Sequence, residues 1–255
     1  MTEEYKILGV DVGASGIKGG IVDTRTGTLL TERLRLETPQ PATPKAMAQT
    51  FTELTRLHNW KGLVGVGFPA IIKKGVAHSA ANIDKSWIRR SVRDTFSKAS
   101  GLTVSVLNDA DAAGIAEITY GEGKDKLGVI LMLTLGSGIG SALFLDGELI
   151  PNTEFGHVFL HDDIAEKYAA NSIRKGKDLS WEEWGKRLNE YILHMERVVS
   201  PDMIILGGGV SKRFERYEEF LEPEQAKIIP AKLLNSAGAI GAAMYAYQQW
   251  ERKNS

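Results

Sequence analysis

Apolar residues fall along this chain in short continuous runs divided by glycine, proline and polar turns, and the runs form two similar sets. In the first set, Tyr5–Val12 and Lys18–Val22 read as paired strands, and Thr28–Glu37 reads as a third. Pro39, Pro41 and Pro44 punctuate the chain next. A helix starts near Pro44 and carries Met47, Phe51, Leu54 and His58 on one side. Leu63–Phe68 and Thr103–Leu107 read as further strands, and Ser86–Ala99 and Asp109–Tyr120 as helices. The second set opens with Gly128–Leu135 and Ser141–Leu145, again joined through glycines. Met203–Leu206 is a buried strand entering Gly207–Gly208–Gly209. Trp181, Trp184, Leu188, Tyr191, Met195 and Val198 form one helical stripe, read as core or as a subunit interface. The last helix, Ser236–Tyr247, is rich in alanine and glycine, which permit close backbone approach. The duplication is a gross pattern, not a strict repeat. It predicts a mixed α/β chain with polar residues at strand ends.

Composition narrows the picture. At 255 residues the chain can build one large domain or two modest ones. Lysine and arginine number 31 against 32 acidic residues, so no global basicity points to nucleic acid. The absence of cysteine removes thiolate nucleophiles, disulfides and cysteine zinc sites together and fits a reducing compartment. MTEEYKILGV lacks the basic start and long apolar core of a signal peptide, and no apolar run reaches membrane-spanning length. The expectation is a cytoplasmic protein without a membrane partner.

Three turns after apolar strands are candidates for phosphate: Asp11–Lys18, Thr134–Gly140 and Gly207–Ser211. In the first, Lys18 is suited to a phosphoryl oxygen and Asp11 to hydrated magnesium; a solvated hairpin tip is the plainer reading. None of the three matches a P-loop or dinucleotide fingerprint. Asn108–Asp109, at a strand end before AADAAG, admits two readings: a helix cap, or a general base at Asp109 beside a sugar-anchoring amide at Asn108. Glu154 and His157 flank Gly156, which would let the backbone bend close to a ligand. The two side chains suit vicinal hydroxyls or form a structural pair, and zinc at His157 and His161 is disfavoured. Asn82 reads as a sugar-facing amide or a turn residue, and Glu166 as a sugar contact or a helix-start acid. Lys85, Arg89, Arg90 and Arg93 make a local basic run. Trp87 among them resembles the aromatic interleaving of nucleic-acid readers, but no nucleic-acid module accompanies it.

These motifs together resemble the ROK family of sugar kinases, within the actin/hexokinase/Hsp70-like superfamily, and most closely its polyphosphate-using glucokinase branch. DVGASGIKG, GVGFPA, SAANIDKSW, VLNDADAAG, LTLGSGIGSALF, NTEFGH, AEKYAA, LSWEEW and IILGGGVS occur in that family's order over nearly the whole chain. The resemblance implies a two-lobed actin/hexokinase-like ATPase fold of ribonuclease H-like lobes with an interlobe cleft. One lobe would span residues 1–107, completed by a C-terminal helix at 241–255, and the other residues 108–240. It implies Asp109 as catalytic base, and Asn82, Asn108, Asp109, Glu154, His157 and Glu166 as sugar contacts. It places phosphate at Asp11, Gly13, Ser15, Lys18, Thr134, Gly136 and Gly138, with Gly207, Gly208 and Gly209 beside the nucleotide of ATP-using relatives. Many family members carry a cysteine-rich zinc loop after the GH pair; this chain has no cysteine, and no zinc site is assigned. No DNA-binding extension precedes the first strand, which argues against a repressor.

The implied activity is phosphoryl transfer to the 6-hydroxyl of glucose with Mg2+ as cofactor. Inorganic polyphosphate is the expected donor and ATP the alternative, as an ATP-dependent glucokinase or another ROK hexokinase. A noncatalytic sugar-binding protein is the reading from a different class. Lys85, Arg89, Arg90 and Arg93 are the expected polyphosphate track. A homodimer is expected, from the aromatic stripe and from the habit of related kinases.

Overall fold

The computed structural model describes residues 5–254. It divides into two units: unit 1 holds the chain up to Ala116 together with Ser236 onward, and unit 2 is Glu117–Asn235.

Unit 1 is a sheet with helices on both faces. Its strands are β1 (Lys6–Val12), β2 (Ile17–Asp23), β3 (Thr28–Leu29), β4 (Leu34–Leu36), β5 (Val64–Phe68) and, after a small hairpin β6 (Ile72–Lys73) and β7 (Val76–Ala77), β8 (Val104–Asn108). The sheet order is β3-β2-β1-β5-β8, with β4 also on β2. β1 pairs antiparallel with β2 and parallel with β5, and β5 is parallel to β8. β5 is buried along its whole length, which is why VGVGF reads as a continuous apolar run without alternation. On one face lie helix α1 (Pro44–Leu57), started by a Thr43 cap and Pro44, and α2 (Val92–Ser100), capped by Ser91. Met47, Phe51 and Leu54 of α1 meet Phe96 of α2 in the core, where Phe51 and Phe96 stack at 4.5 Å. On the other face lie α3 (Asp109–Tyr120) and, after the chain returns from unit 2, the last helix (Ala237–Asn254). Its small residues lie so close to β1 and β5 that side chains at Gly9 and Gly65 would strike the Ala239 and Ala242 carbonyls.

Two expectations change here. The third strand breaks into β3 and β4, because Thr31 Oγ1 takes the Ile21 N–H at 3.0 Å in place of a ladder partner. The helix expected over 86–99 begins only at Val92. Before it, Lys85–Trp87 is a single 3-10 turn and Arg89 has a φ of 64°. Trp87 is fully buried, donates its indole N–H to the Ala42 carbonyl at 3.0 Å and meets Phe68 edge-on. It is core, so the aromatic interleaving expected of a nucleic-acid reader is absent.

Unit 2 repeats the strand plan. β9 (Val129–Leu135), β10 (Ile139–Leu145), β11 (Glu148–Ile150), β14 (Met203–Gly207) and β15 (Lys227–Pro230) take the order β11-β10-β9-β14-β15. β9–β10 and β10–β11 are antiparallel, and β9–β14 and β14–β15 are parallel, as in unit 1. Between β11 and β14 come the hairpin β12 (Phe159–Leu160) and β13 (Asp163–Ile164) and helices α4 (Glu166–Ala169), α5 (Asn171–Gly176) and α6 (Trp181–Val199); the last helix of unit 1 is α7. A capping box of Ser180 and Glu183 starts α6. Trp184, Leu188, Tyr191 and Met195 are all fully buried within unit 2, and Trp181 stacks on Tyr217 at 5.9 Å. The stripe is internal from Trp184 to Met195, while Val198 near its end is exposed, so most of the surface it offered to a homodimer is used within unit 2. Among the described residues no helix is long and apolar enough to cross a membrane.

Candidate active site

In unit 1 the candidate residues gather at the carboxyl ends of the parallel strands. Asp11 on β1 stands opposite Lys18 on β2 and Gly67 on β5. Gly67 in turn lies against Asp109: a Cβ built there would sit 3.5 Å from the Asp109 Cα. The turn from Gly13 to Gly16 closes with Gly13 N–H donating to the Gly16 carbonyl at 3.0 Å, and Ala14 and Ser15 are exposed at its tip. The buried Thr38 hydroxyl donates to the Gly13 carbonyl at 2.6 Å and fixes the turn from behind. Asp11 and Lys18 lie 3.7 Å apart. Burial raises the Asp11 carboxyl above its usual range, against the opposing pull of Lys18 and Arg33.

Asn108 is the helix cap. Its Oδ1 accepts from Ala110 N–H at 2.8 Å and Asp111 N–H at 3.0 Å, and its amide donates to the Ala70 carbonyl at 3.2 Å. The cap reading is therefore met at Asn108. Asp109 is half-buried at the start of α3, with Oδ1 accepting from Ala110 N–H at 2.9 Å. Asn82 lies exposed in the loop before the Lys85–Trp87 turn.

In unit 2, His157 is held between two carboxylates. Its Nδ1 lies 3.2 Å from Glu154 and its Nε2 3.6 Å from Glu166. Burial raises the Glu154 carboxyl, His157 opposes that, and Glu166 adds to it. The Phe155–His157 turn sits on β10, where Ser141 Oγ accepts the Phe155 N–H at 3.0 Å. Gly156 is required there because a Cβ would strike the Ile139 carbonyl, so its close approach is to protein backbone and not to a ligand. Glu166 also accepts the Ile139 N–H at 3.2 Å, which joins it to the Thr134–Gly140 turn. That turn closes through Gly136 N–H to the Gly138 carbonyl, with Thr134 half-buried at the end of β9. Ser172 of α5, which carries no sequence signal, holds the turn through its N–H to Gly136 and its hydroxyl to the Ser137 carbonyl at 2.6 Å. Gly207 ends β14. Gly208, with a φ of 83°, lies against Leu135, so the two glycine turns of this unit are neighbours, and Gly209 faces open space.

With this geometry in place the comparisons are informative. The ROK family model matches residues 7–168. The chain belongs to the ROK family. Among its relatives, the polyphosphate glucokinase of Mycobacterium tuberculosis (strain CDC 1551 / Oshkosh) is 46% identical over 238 residues, 93% of this chain and 89% of that protein. The inorganic polyphosphate/ATP-glucomannokinase of Arthrobacter sp. strain KM is 44% identical with a TM-score of 0.92, over 96% of this chain and 99% of that one. A ROK glucokinase from Streptomyces griseus, solved with glucose and AMPPNP, shares the fold at a TM-score of 0.80 and 22% identity, over 95% of this chain and 99% of that one.

The four residues of the basic run expected as a polyphosphate track are all exposed and sit in different local settings. Lys85 is in the 3-10 turn, and Arg89 donates its backbone N–H to Ala77. Arg90 lines a groove of about 610 Å³ between α1 and α2. Arg93 pairs with Asp94 at 3.0 Å and covers Gly75. Sequence reading missed Arg35, whose guanidinium donates to the Ser15 carbonyl in the Gly13–Gly16 turn; the alternation RLRL was the available signal. For Mg2+, no group of three acids or histidines among the described residues forms a cage. The half-buried carboxylate of Asp11, at the end of β1 before the Gly13–Gly16 turn, is an oxygen donor that fits magnesium held by one acid and by donor phosphates.

Proposed function

We propose that this ROK-family enzyme transfers the terminal phosphoryl group of inorganic polyphosphate to the 6-hydroxyl of glucose. The observation that carries the reading is the alignment, within unit 1, of Asp109, Gly67, Asp11 and Lys18 at adjacent strand ends. A base and a phosphate turn so arranged suit in-line transfer. The naming of the Mycobacterium tuberculosis and Arthrobacter relatives supports the choice of donor and sugar. The same strand order in both units, three antiparallel strands followed by two parallel ones, supports reading them as the two ribonuclease H-like lobes of an actin/hexokinase-type kinase.

Asp109 takes the proton of the glucose 6-hydroxyl, and the freed oxygen attacks the terminal phosphorus. The bond from that phosphorus to its bridging oxygen breaks, and the electron pair leaves with the shortened polyphosphate. Glucose 6-phosphate is the product. The amides of the Gly13–Gly16 turn and Lys18 hold the donor and stabilise charge on the migrating group. Asp11 would hold magnesium, which when bound would neutralise charge on the donor phosphates. In unit 1, Asn108 and Asn82 are the residues proposed for sugar hydroxyls, with their amides as donors; in unit 2, Glu154, His157 and Glu166 are proposed for the same role, with carboxylates as acceptors and the imidazole as donor.

ATP is the second donor, favoured by the polyphosphate/ATP description of the Arthrobacter protein and by the Gly207–Gly209 turn. Initial rates of glucose 6-phosphate formation with glucose, magnesium and each nucleotide-free donor test the reading. Activity with ATP and none with polyphosphate overturns the donor. Measurable glucose binding with no transfer from either donor overturns the kinase in favour of a sugar-binding protein.

A further inference from the structure

The β2–β4 pairing places Lys18 directly opposite Arg35, and the β1–β2 pairing places Asp11 opposite Lys18. Residues opposite one another in a ladder project to the same face. Asp11, Lys18 and Arg35 therefore form a row across three neighbouring strands, on the face covered by α7, where Asp11 lies against Gly238. Leu34 and Leu36 alternate to the other face and pack on the core beneath α1, which leaves Arg33 on the same side as Arg35. Arg35 arches back over the phosphate turn. Its guanidinium donates to the Ser15 carbonyl at 2.8 Å, and its Nε lies 2.5 Å from where a Gly16 Cβ would stand. Arg33 is close enough to Asp11 to pull its carboxyl pKa down. Strands lie about 4.8 Å apart, so the row carries positive charge about 10 Å outward from Asp11 along the sheet. The row itself holds Asp11 with two cations, Lys18 and Arg35; Arg33 and the exposed Glu37 follow the same alternation on either side of Arg35.

A donor that ends at its reacting phosphate gains little from charge this far out. A linear polyanion gains from each cation it passes. We propose that Arg33 and Arg35 are the donor track of this enzyme, holding non-transferred phosphates of a polyphosphate chain whose terminal group lies at the Gly13–Gly16 turn. This rests on the polyphosphate reading above. It places the track at the β4 edge, which the sequence leaves 15 residues or more from the turn it serves, and makes the Lys85–Arg93 run the competing track.

The test compares wild type, Arg33→Ala, Arg35→Ala and the double variant, with tripolyphosphate and with long-chain polyphosphate as donors. The double variant is expected to raise the long-chain KM by about tenfold or more, the size of losing contacts to charged groups. The tripolyphosphate KM should rise less, and the glucose KM should hold. Because Arg35 also supports the Ser15 carbonyl, a purely structural role would instead lower kcat equally with both donors. Arg35→Lys, which keeps the charge without the guanidinium fork, should then recover most of the long-chain KM under the track and none of the kcat under the structural role. Equal losses for short and long chains, or a larger long-chain loss from Arg90→Ala with Arg93→Ala, overturn the track. Calorimetric titration of long-chain polyphosphate without glucose separates this from the donor reading. If wild type transfers only from ATP, the donor reading fails. The track then falls as well if wild type and the double variant bind polyphosphate equally, and it stands if the double variant binds more weakly.

Discussion

Gly156 offers a way to perturb the sugar side chains without touching them. A Cβ at this position would sit 2.1 Å from the Ile139 carbonyl oxygen and 3.1 Å from the Ile139 carbonyl carbon. The obstacle is main chain at the start of β10, where Ile139 pairs with Leu135 of β9, so it yields little. Relief to an ordinary contact moves the Phe155–His157 turn by about 1 Å, in an interior with almost no slack. His157 rides on that turn, and Glu154 starts it. Gly156→Ala is expected to cost about 1–3 kcal/mol of stability by overpacking. That corresponds to roughly 2–12 °C in melting temperature for a chain of this size. A displacement of about 1 Å in groups that position a substrate costs on the order of 10²-fold in kcat/KM. The assay is glucose 6-phosphate formation at saturating donor with glucose varied, alongside a thermal melt. Gly176→Ala is the control, since a Cβ there meets nothing within 4 Å. It should leave the glucose KM in place and leave stability level or slightly raised. A Gly156→Ala enzyme with wild-type glucose KM and wild-type melting temperature would refute the steric argument.

Asp109→Asn should lower kcat by about 10²–10⁴-fold while calorimetry still registers glucose binding; wild-type turnover in the folded variant removes Asp109 as base. The Glu154 carboxyl is raised by burial, so it takes up a proton at a higher pH than an ordinary glutamate. On acidification the glucose KM should rise before ordinary carboxylates titrate, and Glu154→Gln should flatten that limb of the profile; an unchanged limb in the variant assigns it to another group. Glu196 is buried, and burial alone would raise its pKa. The N–H groups of Ala226, Glu224 and Gln225 donate to it at 2.6–2.9 Å and pull it below the usual range overall. A carboxylate lowered in the fold stabilises above its unfolded pKa, and that contribution fades as pH falls through the folded value. Glu196→Gln should therefore destabilise at neutral pH by about 1–3 kcal/mol, with the gap to wild type closing in acid melts; a gap constant with pH would show that charge plays no part.

Much of this enzyme was legible in one dimension. Continuous apolar runs such as VGVGF and MIILG announced strands buried on both faces, and the glycine interruptions after VDV and LTL announced the two turns. Local rules sufficed because each feature needs only neighbours in the chain: a strand end, a turn, a cap, an acid placed just after them. Asp109 was proposed as the base in this way. The collinear motifs then identified the family, since their order along the chain is itself a one-dimensional property.

What remained hidden depends on partners far away in sequence. Trp87 and the basic residues around it read as one surface, but the tryptophan faces inward because the Ala42 carbonyl and the Phe68 and Phe96 rings enclose it. The aromatic stripe of α6 could not declare whether it faced another chain or its own core, because an apolar helix face is the same pattern in either setting; Tyr217 and the unit 2 sheet decided it. Arg35 looked like an ordinary alternating strand residue until the register of β4 on β2 set it beside Lys18. Register is fixed by how whole strands pair, and a slip of one residue would turn both arginines to the opposite face. The sequence thus determined which elements form and which chemistry they carry. The tertiary structure decided which charges stand in one row, because that depends on pairing between strands and is written in no single stretch of the chain.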